Sequence, residues 1–587
     1  MKKEQANLDF IKMEHNVLDF WKQNNCFEKL VQKNKDSKRY RFLDGPMTAN
    51  NSMGIHHAWG RTLKDTFIKY HAMQGESCQY QNGFDAQGLW VEVEVEKELG
   101  FKNKKDIEKF GLDNFTKACM DRVKRCGGII TEQSKRLGQW MDWDNSYYTN
   151  SDENITSIWH FLKVCHNKGL LEKKYRVMNW CPRCGTSLSE HEMTDSYHDV
   201  ECRAVFVKLP LKNENAKMLV WTTTPWTLTS NVALAVNSEL TYCYCKVKSD
   251  SDLLVLCKDA IKCLGDDLIK VEKEVKGSEL VGKTYETMFP YLAPQNFEHK
   301  IVDWDLVDAT EGVGVVHIAP GCGESDFELG DKLGLPKINP IDEAGVIVGD
   351  FGEFAGKDTN EVRDLAFEKV EAQNKLYKTH NYKHRYAFCW RCKTDIVYKL
   401  VSGWYIKSEP IRDQLIEAAK QVEWKPEHAG KRMLDWLNNM GDWNISRSRF
   451  YGLPLPFYVC EKCGKLHVIG SKEELIERAT DKQKAMDIPN LHKPWIDDIK
   501  ITCDCGEVLN RVPEVGDCWL DAGITPFSTK KYFTDKDYFK NNFPNECVIE
   551  MIEQIRLWFY SLLFMSVVLE GRAPYQKVMT HESVVKE

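Results

Sequence analysis

The chain has 587 residues, 42% of them hydrophobic and 28% charged, and a formal net charge of −7. This length is too great for one hydrophobic core, so we expect several compact units. The acidic balance excludes a general polyanion binder, because non-specific nucleic-acid affinity comes from Lys and Arg on phosphates, and any RNA contact is therefore expected to be local. The longest apolar run, 558–569, is too short for a membrane span and predicts a core helix, and no secretory signal follows the first residues. These features predict a cytoplasmic protein without a membrane partner.

The first hundred residues alternate between helical and strand patterns. Apolar residues at helical spacing predict an N-terminal helical segment over 1–38, packed on the next part of the chain. Residues 39–43 predict a buried strand, residues 50–52 supply capping side chains for a helix that ends near residue 73, and residues 78–81 predict a second strand. Strand, helix and strand in this order form a parallel crossover, which is a nucleotide-binding type of fold with ligands at the carboxyl ends of its strands.

The middle of the chain has a different pattern. Short strand-like runs follow one another from about residue 203 to residue 302, and helical periodicity returns only after Ile411. A β-rich domain inserted into an α/β domain accounts for this change.

The cysteines form closely spaced pairs. An odd total of 21 in a chain without a leader favours reduced thiols and metal ligands over disulfides. Pairs with the spacing of zinc knuckles predict two structural sites of four thiolates each, one pinning both ends of the insertion and one forming a smaller ribbon. The predicted ligands are Cys181, Cys184, Cys389 and Cys392 in the first site, and Cys460, Cys463, Cys503 and Cys505 in the second.

The predicted first helix begins with Gly54-Ile55-His56-His57. A helix N-terminus offers free N–H groups and a positive dipole end to phosphates, and imidazoles add hydrogen bonds, although two histidines also occur on capped surface helices. The segment from Asp44 to Ala58 resembles the first signature of class I aminoacyl-tRNA synthetases, which usually reads HIGH. Relative to that signature, Gly54 replaces the first histidine, His56 replaces the glycine, and His57 keeps the last histidine. The resemblance implies catalytic roles for all three.

Further segments resemble the same family in the same order. The stretch from Gly83 to Lys97 looks like the second strand end of the family, where Asp85 would bind the amino group of the amino acid and Gln87 replaces a usual histidine. Segments 436–449, 512–521 and 550–559 look like the second half of the catalytic domain. The resemblance implies an ATP or adenylate site at Pro46, Asn50, Glu550, Glu553 and Gln554, and an amino-acid pocket at Pro46, Asp85, Gln87 and Trp558.

The string from Trp221 to Leu228 closely resembles the editing signature of the isoleucyl-tRNA synthetase family, whereas valyl and leucyl relatives carry TTRP-type sequences. Residues 314–327 resemble the second half of that pocket, with Cys322 and Ser325 in place of a common histidine and aspartate. Asp326 is expected to anchor the α-amino group of the substrate. The implied editing residues are Thr222, Thr223, Thr224, Asn231, His317 and Asp326.

The resemblance runs from about residue 10 to the last residue and implies an α/β fold: a Rossmann-like parallel-sheet catalytic domain with an inserted β-rich editing domain and two zinc knuckles. The KMSKS loop and the anticodon-binding domain are expected to be absent. The predicted segments are the N-terminal helical segment 1–38, the first catalytic half 39–180, the zinc-knuckle connection 181–202, the editing domain 203–385, the knuckle return 386–395, and the second catalytic half 396–587 with a zinc ribbon near 456–510.

The resemblance implies ATP-dependent activation of isoleucine, ligation to tRNA(Ile), and hydrolysis of mischarged valine, by a monomer that uses ATP with Mg²⁺ and holds two Zn²⁺. Editing has a physical reason, because a pocket discriminates weakly against one missing methylene. Activation is expected to be impaired without the lysine-rich loop. The alternatives are a valyl- or leucyl-tRNA synthetase, an activation-deficient tRNA-binding protein, and a free-standing deacylase.

Overall fold

A computed structural model describes residues 9–188, 196–308 and 312–584. The chain forms two compact units: one contains the chain up to Lys173 and from Gly403 onward, and the other is Lys174–Ser402. The strands Leu171–Cys181 and Val397–Ile406 carry the chain across this division. Parts of the predicted segments 1–38, 181–202, 203–385 and 396–587 lie outside the described residues.

A parallel sheet organises the first unit. Its strand pairs are Arg39–Tyr40 with Ser77–Cys78, Met47–Thr48 with Gln81–Asp85, Gln81–Asp85 with Asp142–Tyr148, Asn545–Met551 with Tyr575–His581, and Tyr575–His581 with Glu423–Lys425. A parallel bridge between Phe42 and Cys547 joins the strands before residue 149 to the strands after residue 422. With the short edge strand Glu423–Lys425 left out, the other five strands, numbered along the chain, are ordered 3-2-1-4-5, which matches the first five positions of a Rossmann-type sheet, and the predicted parallel crossover is confirmed. The strand order reverses between the strand that ends near Asp44 and the strand Asn545–Met551.

The crossover helix spans Ile55–Met73 and begins at Gly54, whose φ of −86° and ψ of 171° are extended. The prediction that residues 50–52 cap this helix was wrong. The Gly54 N–H donates instead to Nδ1 of His57 at 3.1 Å, so a side chain from the first turn closes the helix start. The residues 50–52 lie in the preceding loop, where Arg122 Nε donates to the Asn50 carbonyl at 2.8 Å.

The N-terminal segment contains two helices, Phe10–Gln23 and Cys26–Asn34, separated by Asn25 in a left-handed conformation. The prediction that the first helix packs on the next part of the chain was wrong for most of its apolar positions, because no residue of it is buried and Phe10 and Phe20 are 65% and 59% exposed. Its Trp21 meets Trp140 edge-on, with ring centroids 5.0 Å apart.

The remaining elements of the first unit surround the sheet. Its other helices are Leu89–Leu99, Lys104–Phe110, Leu112–Arg136, Asp152–Asn167, Arg412–Lys420, Glu427–Asn439, Lys472–Arg478, Lys482–Asp487, Cys518–Gly523, Thr525–Ser528, Lys536–Asn542 and Trp558–Glu570. Its other strands are Trp443–Asn444, Ser446–Arg447, Phe457–Val459, Leu466–Val468, Ile501–Thr502, Val508–Leu509 and Val515–Gly516.

The helix Trp558–Glu570 is the centre of the first unit, and every residue from Trp558 to Val568 is buried. Among the described residues, the stretch Ile552–Glu570 is the one helical segment with the length and composition of a membrane span, and most of it is buried inside the protein. The core helix predicted from the run 558–569 is confirmed.

The second unit is rich in strands. Its six-stranded sheet has the order Leu268–Lys276, Thr241–Val247, Leu253–Cys257, Ala216–Thr222, Tyr197–Pro210, Leu376–Ala387. A three-stranded sheet has the order Lys300–Asp303, Ala233–Val236, Val316–Ile318. The strand Thr186–Leu188, the α-helices Glu324–Leu333 and Thr359–Ala372, and short 3₁₀ helices such as Pro225–Ser230 also belong to this unit. Buried side chains of this unit, such as Tyr242 and Phe289, form a core of its own.

Candidate functional site

The reversal point of the parallel sheet gathers charged groups. Lys64, only 5% exposed, reaches there from the crossover helix and places its Nζ 2.8 Å from Oδ1 of Asp44. Its second ion-pair partner is Glu550, at the end of the fourth strand. Burial lowers the pKa of Lys64, but the two carboxylates outweigh it, and the pKa is raised. Because Oδ2 of Asp44 is buried without a partner among the described residues, this edge retains an unused acceptor.

Gly45 occupies a position where a side chain has no room. A Cβ at this residue would overlap the Glu550 carboxylate and lie 3.2 Å from the indole of Trp558. Trp558 is buried, and its Nε1 donates to the Ala522 carbonyl at 3.0 Å. The predicted pocket residue Trp558 thus lies against the residue that precedes Pro46, at the same edge as Glu550.

The start of the crossover helix holds the two histidines. Since Nδ1 of His57 accepts the Gly54 N–H, its proton resides on Nε2. Burial, followed by the neighbouring His56, Arg61 and Lys64, lowers the pKa of His57 to about 4, so the imidazole is neutral at pH 7 and donates from Nε2. The exposed His56 ring lies 3.8 Å from the His57 ring, and a Cβ on Gly54 would lie 3.0 Å from its Cε1.

Asp85 ends the strand Gln81–Asp85. Its carboxylate accepts hydrogen bonds from Oγ1 of Thr48 at 3.3 Å and Oγ1 of Thr149 at 3.2 Å. Burial, with repulsion from Asp517, raises the pKa of Asp85 to about 7 against these hydrogen bonds. Because burial disfavours the ionised form of this carboxyl group, a nearby cation such as an ammonium group would stabilise its negative charge.

Gln87 lies in the interior and is 1% exposed. Its amide donates to Oδ1 of Asp521 at 2.7 Å, and its Oε1 lies 2.6 Å from Nε2 of His492. The side chain predicted to line the amino-acid pocket is therefore buried among protein groups.

The other predicted adenylate residues have separate positions. Glu553 is exposed and accepts from Oγ of Ser583 at 2.5 Å. Gln554 accepts the Trp558 N–H at 3.2 Å through Oε1 and so caps the core helix. Asn50 is half-buried in the loop before Gly54. The structure thus brings Glu550, Trp558 and the Pro46 turn together, with Gln554 attached through Trp558.

In the second unit, the predicted editing threonines meet a histidine. Oγ1 of Thr222 accepts the Thr224 N–H at 3.1 Å, and Thr223 is half-buried between them. Thr227 donates to the Thr224 carbonyl at 2.8 Å, and its Oγ1 lies 3.0 Å from Nε2 of His317. Because Thr227 uses its proton there, His317 is the donor in this pair.

His317 carries an unused nitrogen. Burial lowers the pKa of His317 to about 4, so the ring is neutral at pH 7. With the proton on Nε2, Nδ1 is a buried lone pair without a partner among the described residues. It can accept a proton or a hydrogen bond from a substrate or a water molecule.

Two other predicted editing residues differ in setting. Asn231 is buried and satisfied, since its Oδ1 accepts from Tyr285 at 2.6 Å and from Thr287 at 3.2 Å, and its amide donates to the Ala233 carbonyl at 2.9 Å. Asn231 therefore stabilises the structure around the site through these hydrogen bonds. Asp326 is half-buried and accepts the Ala319 N–H at 2.8 Å, and burial raises its pKa to about 6.

Both predicted four-cysteine groups are assembled, and within each the sulfur atoms lie within 4.8 Å of one another. Zn–S bonds of about 2.3 Å in a tetrahedron give edges of about 3.8 Å, so both groups fit one zinc ion each. Left-handed residues, such as Gly185 and Gly464, turn the chain after the second cysteine of a pair. The Sγ–Sγ distances are 3.4 Å for Cys181–Cys392, 4.0 Å for Cys184–Cys389, 3.5 Å for Cys460–Cys505 and 3.6 Å for Cys463–Cys503.

Sequence reasoning missed several groups that contact these sites: Lys64, Thr149, Thr227, Asp521 and His492. Lys64 had a usable signal, because it lies two helical turns after His57 on the same face. Thr227 lies inside the 221–228 string that resembles the editing signature. The contact of His492 with Gln87 spans 405 positions and had no local signal.

The chain is similar to known proteins along nearly its whole length. The family described as tRNA synthetases class I (I, L, M and V) matches residues 16–587. An isoleucine–tRNA ligase of Clostridium tetani is 38% identical over 98% of this chain and 55% of its own length, and one of Archaeoglobus fulgidus is 39% identical over 98% of this chain and 56% of its own length. A LeuRS of Agrobacterium radiobacter K84, solved in a ternary complex with tRNA and LeuAMS, has 14% identity and a TM-score of 0.43, and the match covers 98% of this chain and 68% of that chain.

The chain spans about half the length of the curated relatives it matches. The family match covers nearly all of its residues, including both halves of the parallel sheet and the strand-rich unit. This chain belongs to the class I tRNA synthetases of the isoleucine, leucine, methionine and valine group.

Proposed function

We propose that this chain carries the amino-acid-activating site of an isoleucine–tRNA ligase. The observation that carries the proposal is the edge of the parallel sheet, where Asp85, the Glu550–Lys64 pair and the start of the crossover helix lie at the ends of the strands. The isoleucine–tRNA ligases among its relatives support isoleucine as the amino acid.

In the proposed reaction, an isoleucine carboxylate oxygen attacks the α-phosphorus of ATP, and pyrophosphate leaves. Asp85 binds the ammonium group, the Pro46 turn and Trp558 hold the aliphatic side chain, and Glu550 binds the adenylate ribose. The neutral His57 donates from Nε2 to the phosphates, beside the N–H groups of the helix start. ATP enters with Mg²⁺, and the acceptor of the second step is the 3′ end of tRNA(Ile).

The two four-cysteine groups would each hold a structural Zn²⁺. Four thiolates leave no open coordination position, so the ions supply cross-links and no Lewis-acid chemistry. We further propose a cytoplasmic monomer.

Isoleucine-dependent exchange between ATP and labelled pyrophosphate tests the activation proposal. Exchange should be faster with isoleucine than with valine, and leucine should support little. Asp85→Asn is the control, because it keeps the size of the side chain but removes the charge that binds the ammonium group. A chain that binds ATP but binds none of the three amino acids contradicts the proposal, and a preference for valine or leucine contradicts isoleucine as substrate.

A second activity, hydrolysis of valine from mischarged tRNA(Ile), is favoured by the buried free nitrogen of His317 beside Thr227 and Thr224. Asp326 would bind the α-amino group of the valyl ester. Its carboxylate must be ionised for this, so hydrolysis should increase as the pH rises through about 6, the pKa of Asp326.

Deacylation of Val-tRNA(Ile) and Ile-tRNA(Ile) by the same protein tests this second activity. The unmutated chain should hydrolyse the valyl ester faster, and Asp326→Ala should abolish that selectivity. Glu328→Ala, an exposed carboxylate on the same helix outside the segment 314–327, is the matched control and should retain it. Equal cleavage of both esters by the unmutated chain would show that Asp326 is misassigned.

A further inference from the structure

His492 belongs to the predicted ribbon segment 456–510, far in sequence from the residues assigned to the amino-acid pocket. It follows the short helix Lys482–Asp487 and is 1% exposed. Its ring stacks on Tyr451, with centroids 5.3 Å apart and an interplanar angle of 18°. The Tyr451 hydroxyl in turn donates to the Ala86 carbonyl at 2.8 Å, next to Asp85. The imidazole is thus held rigidly against the strand end that carries Asp85.

The Gln87 amide lies between His492 on one side and two oxygen acceptors on the other. Nε2 of His492 lies 2.6 Å from Oε1 of Gln87. On its other side, Nε2 of Gln87 donates to Oδ1 of Asp521 at 2.7 Å and to the Thr149 carbonyl at 3.3 Å. A flipped amide would put its oxygen against two acceptors and its NH₂ against the imidazole. One orientation therefore satisfies all four groups, and in it Nε2 of His492 carries the proton that Oε1 of Gln87 accepts.

The groups that Gln87 holds surround Asp85. Oγ1 of Thr149 donates to Oδ1 of Asp85 at 3.2 Å, and the Ala86 N–H donates to Oγ1 of Thr149 at 2.9 Å. Asp521 is buried, and burial, followed by the neighbouring Asp85, raises the pKa of Asp521. The side chain of Gln87 is therefore one hydrogen bond from both neighbours of the carboxylate that is proposed to bind the ammonium group.

We propose that His492 is a positioning residue of the amino-acid site, which acts through the Gln87 amide on Asp521 and Thr149 and so sets the affinity for the α-amino group. The inference rests on the proposed function, and in particular on Asp85 as the ammonium ligand. It adds that the ribbon segment, together with the parallel sheet, determines binding of the amino acid. Gln87 itself does not touch the substrate.

Two nearly isosteric substitutions separate this role from simple packing. His492→Gln places an amide nitrogen near the position of Nε2 and keeps the donor to Gln87. His492→Asn has the same functional group but ends near Nδ1, on the side of Asn490, whose Oδ1 lies 3.2 Å away. Both variants keep a polar, uncharged side chain, so they differ mainly in whether Gln87 retains its donor.

The dissociation constants of isoleucine and of ATP, measured separately by calorimetry on the zinc-loaded chain, test the proposal. His492→Asn should weaken isoleucine binding about tenfold, as expected when a buried acceptor loses its donor, and leave ATP binding unchanged within about twofold. His492→Gln should restore isoleucine binding. If His492→Asn does not fold, Gln87→Met replaces it, because methionine fills the same volume without hydrogen bonds, and the same selective loss is expected.

Unchanged isoleucine binding in His492→Asn overturns the inference and leaves the proposed function intact. Equal losses of isoleucine and ATP binding in both His492 variants also overturn it, because they indicate a packing role. If the unmutated chain binds ATP but no isoleucine, the proposed function fails, and the inference fails with it.

Discussion

At the scale of single residues, the helix start shows two positions that depend on each other. The space beside Gly54 is occupied by the His56 ring, and a Cβ there would meet it at 3.0 Å. That distance is tighter than ordinary van der Waals contact, so any side chain at position 54 requires His56 to move. His57, by contrast, is tied to the backbone of Gly54 and does not depend on the identity of residue 56.

A double-mutant cycle at positions 54 and 56 should therefore show coupling. Gly54→His alone overcrowds the helix start and His56→Gly alone leaves a gap, whereas the double change is expected to be tolerated, with a coupling energy of roughly 1 kcal/mol or more. The measurement is the rate of isoleucine-dependent pyrophosphate exchange. His57→Ala removes the side chain that donates a hydrogen bond to the phosphates, and it is the reference for complete loss of exchange. Strictly additive effects would rule out the paired exchange.

Asp85 combines binding with a cost in stability. Its pKa of about 7 in the folded chain, against 3.8 for a free carboxyl, means that folding disfavours the ionised form. The stability contributed by the protonated form is fully present below pH 3.8 and is lost as the pH rises towards 7. Isoleucine binding needs the ionised form and should strengthen over the upper part of the same range.

Asp85→Asn should accordingly raise the melting temperature at pH 8 and weaken isoleucine binding by about tenfold or more, since a charge-assisted hydrogen bond is lost. Calorimetry at pH 6 and pH 8 measures both effects. The stabilisation should shrink as the pH falls, because the wild-type carboxyl then becomes neutral as well. A variant that is less stable than the wild type at pH 8 would contradict the assigned burial cost.

At the scale of elements, the cysteine-bearing turns connect segments that are distant in sequence. In the second unit, Cys181 ends the strand Leu171–Cys181 and Cys389 follows the strand Leu376–Ala387, so a metal there joins the two ends of the inserted chain. In the first unit, the ribbon cysteines Cys460 and Cys503 join two short hairpins. Each ion would replace packing that these short elements cannot supply by themselves.

We expect two zinc ions per purified, unchelated chain. Cys181→Ser should remove one ion and make the second unit more sensitive to proteolysis, and Cys463→Ser should remove the other ion and leave the second unit unaffected. Elemental analysis and limited proteolysis check this, with Cys202→Ser as a control outside both groups. Two ions in Cys181→Ser, or none in the wild type, would show that the four-cysteine assignment is wrong.

At the scale of the molecule, the two units have separate hydrophobic cores. Most buried hydrophobic residues of the second unit, from Trp180 to Val397, belong to one large cluster, and two smaller clusters lie beside the cysteine group and in the three-stranded sheet. A core of this extent is sufficient for a domain to fold independently.

The segment Lys174–Ser402 should therefore fold when expressed alone with zinc and unfold in one cooperative thermal transition. The same segment with Cys181→Ser should lose several degrees of melting temperature, because the metal joins its two ends. Circular dichroism with a thermal scan measures both. A segment without a cooperative transition in the presence of zinc would show that its stability depends on the rest of the chain.

The local patterns in the sequence already determined several features of the protein. The parallel crossover followed from one strand, one helix and one strand in succession, and each cysteine pair was recognised by its spacing, because both depend on near neighbours. The meeting of two pairs in one four-cysteine group joins segments that are distant in sequence. The core helix at Trp558 followed from an uninterrupted apolar run. The family followed from the order of several motifs, whereas the roles carried over from them to single residues remain predictions.

Only the tertiary structure decided which distant groups meet. Lys64 and Glu550 are 486 positions apart, and no local pattern indicates that they form an ion pair at the reversal point of the sheet. The inward orientation of Gln87 and its contact with His492 depend in the same way on the packing of the ribbon segment. The cap at Gly54 and the exposed stripe near Phe10 were mispredicted because local propensity does not say which acceptor a backbone N–H finds or which face another element covers. Periodicity and spacing act over a few residues, and a binding site is assembled by contacts over hundreds.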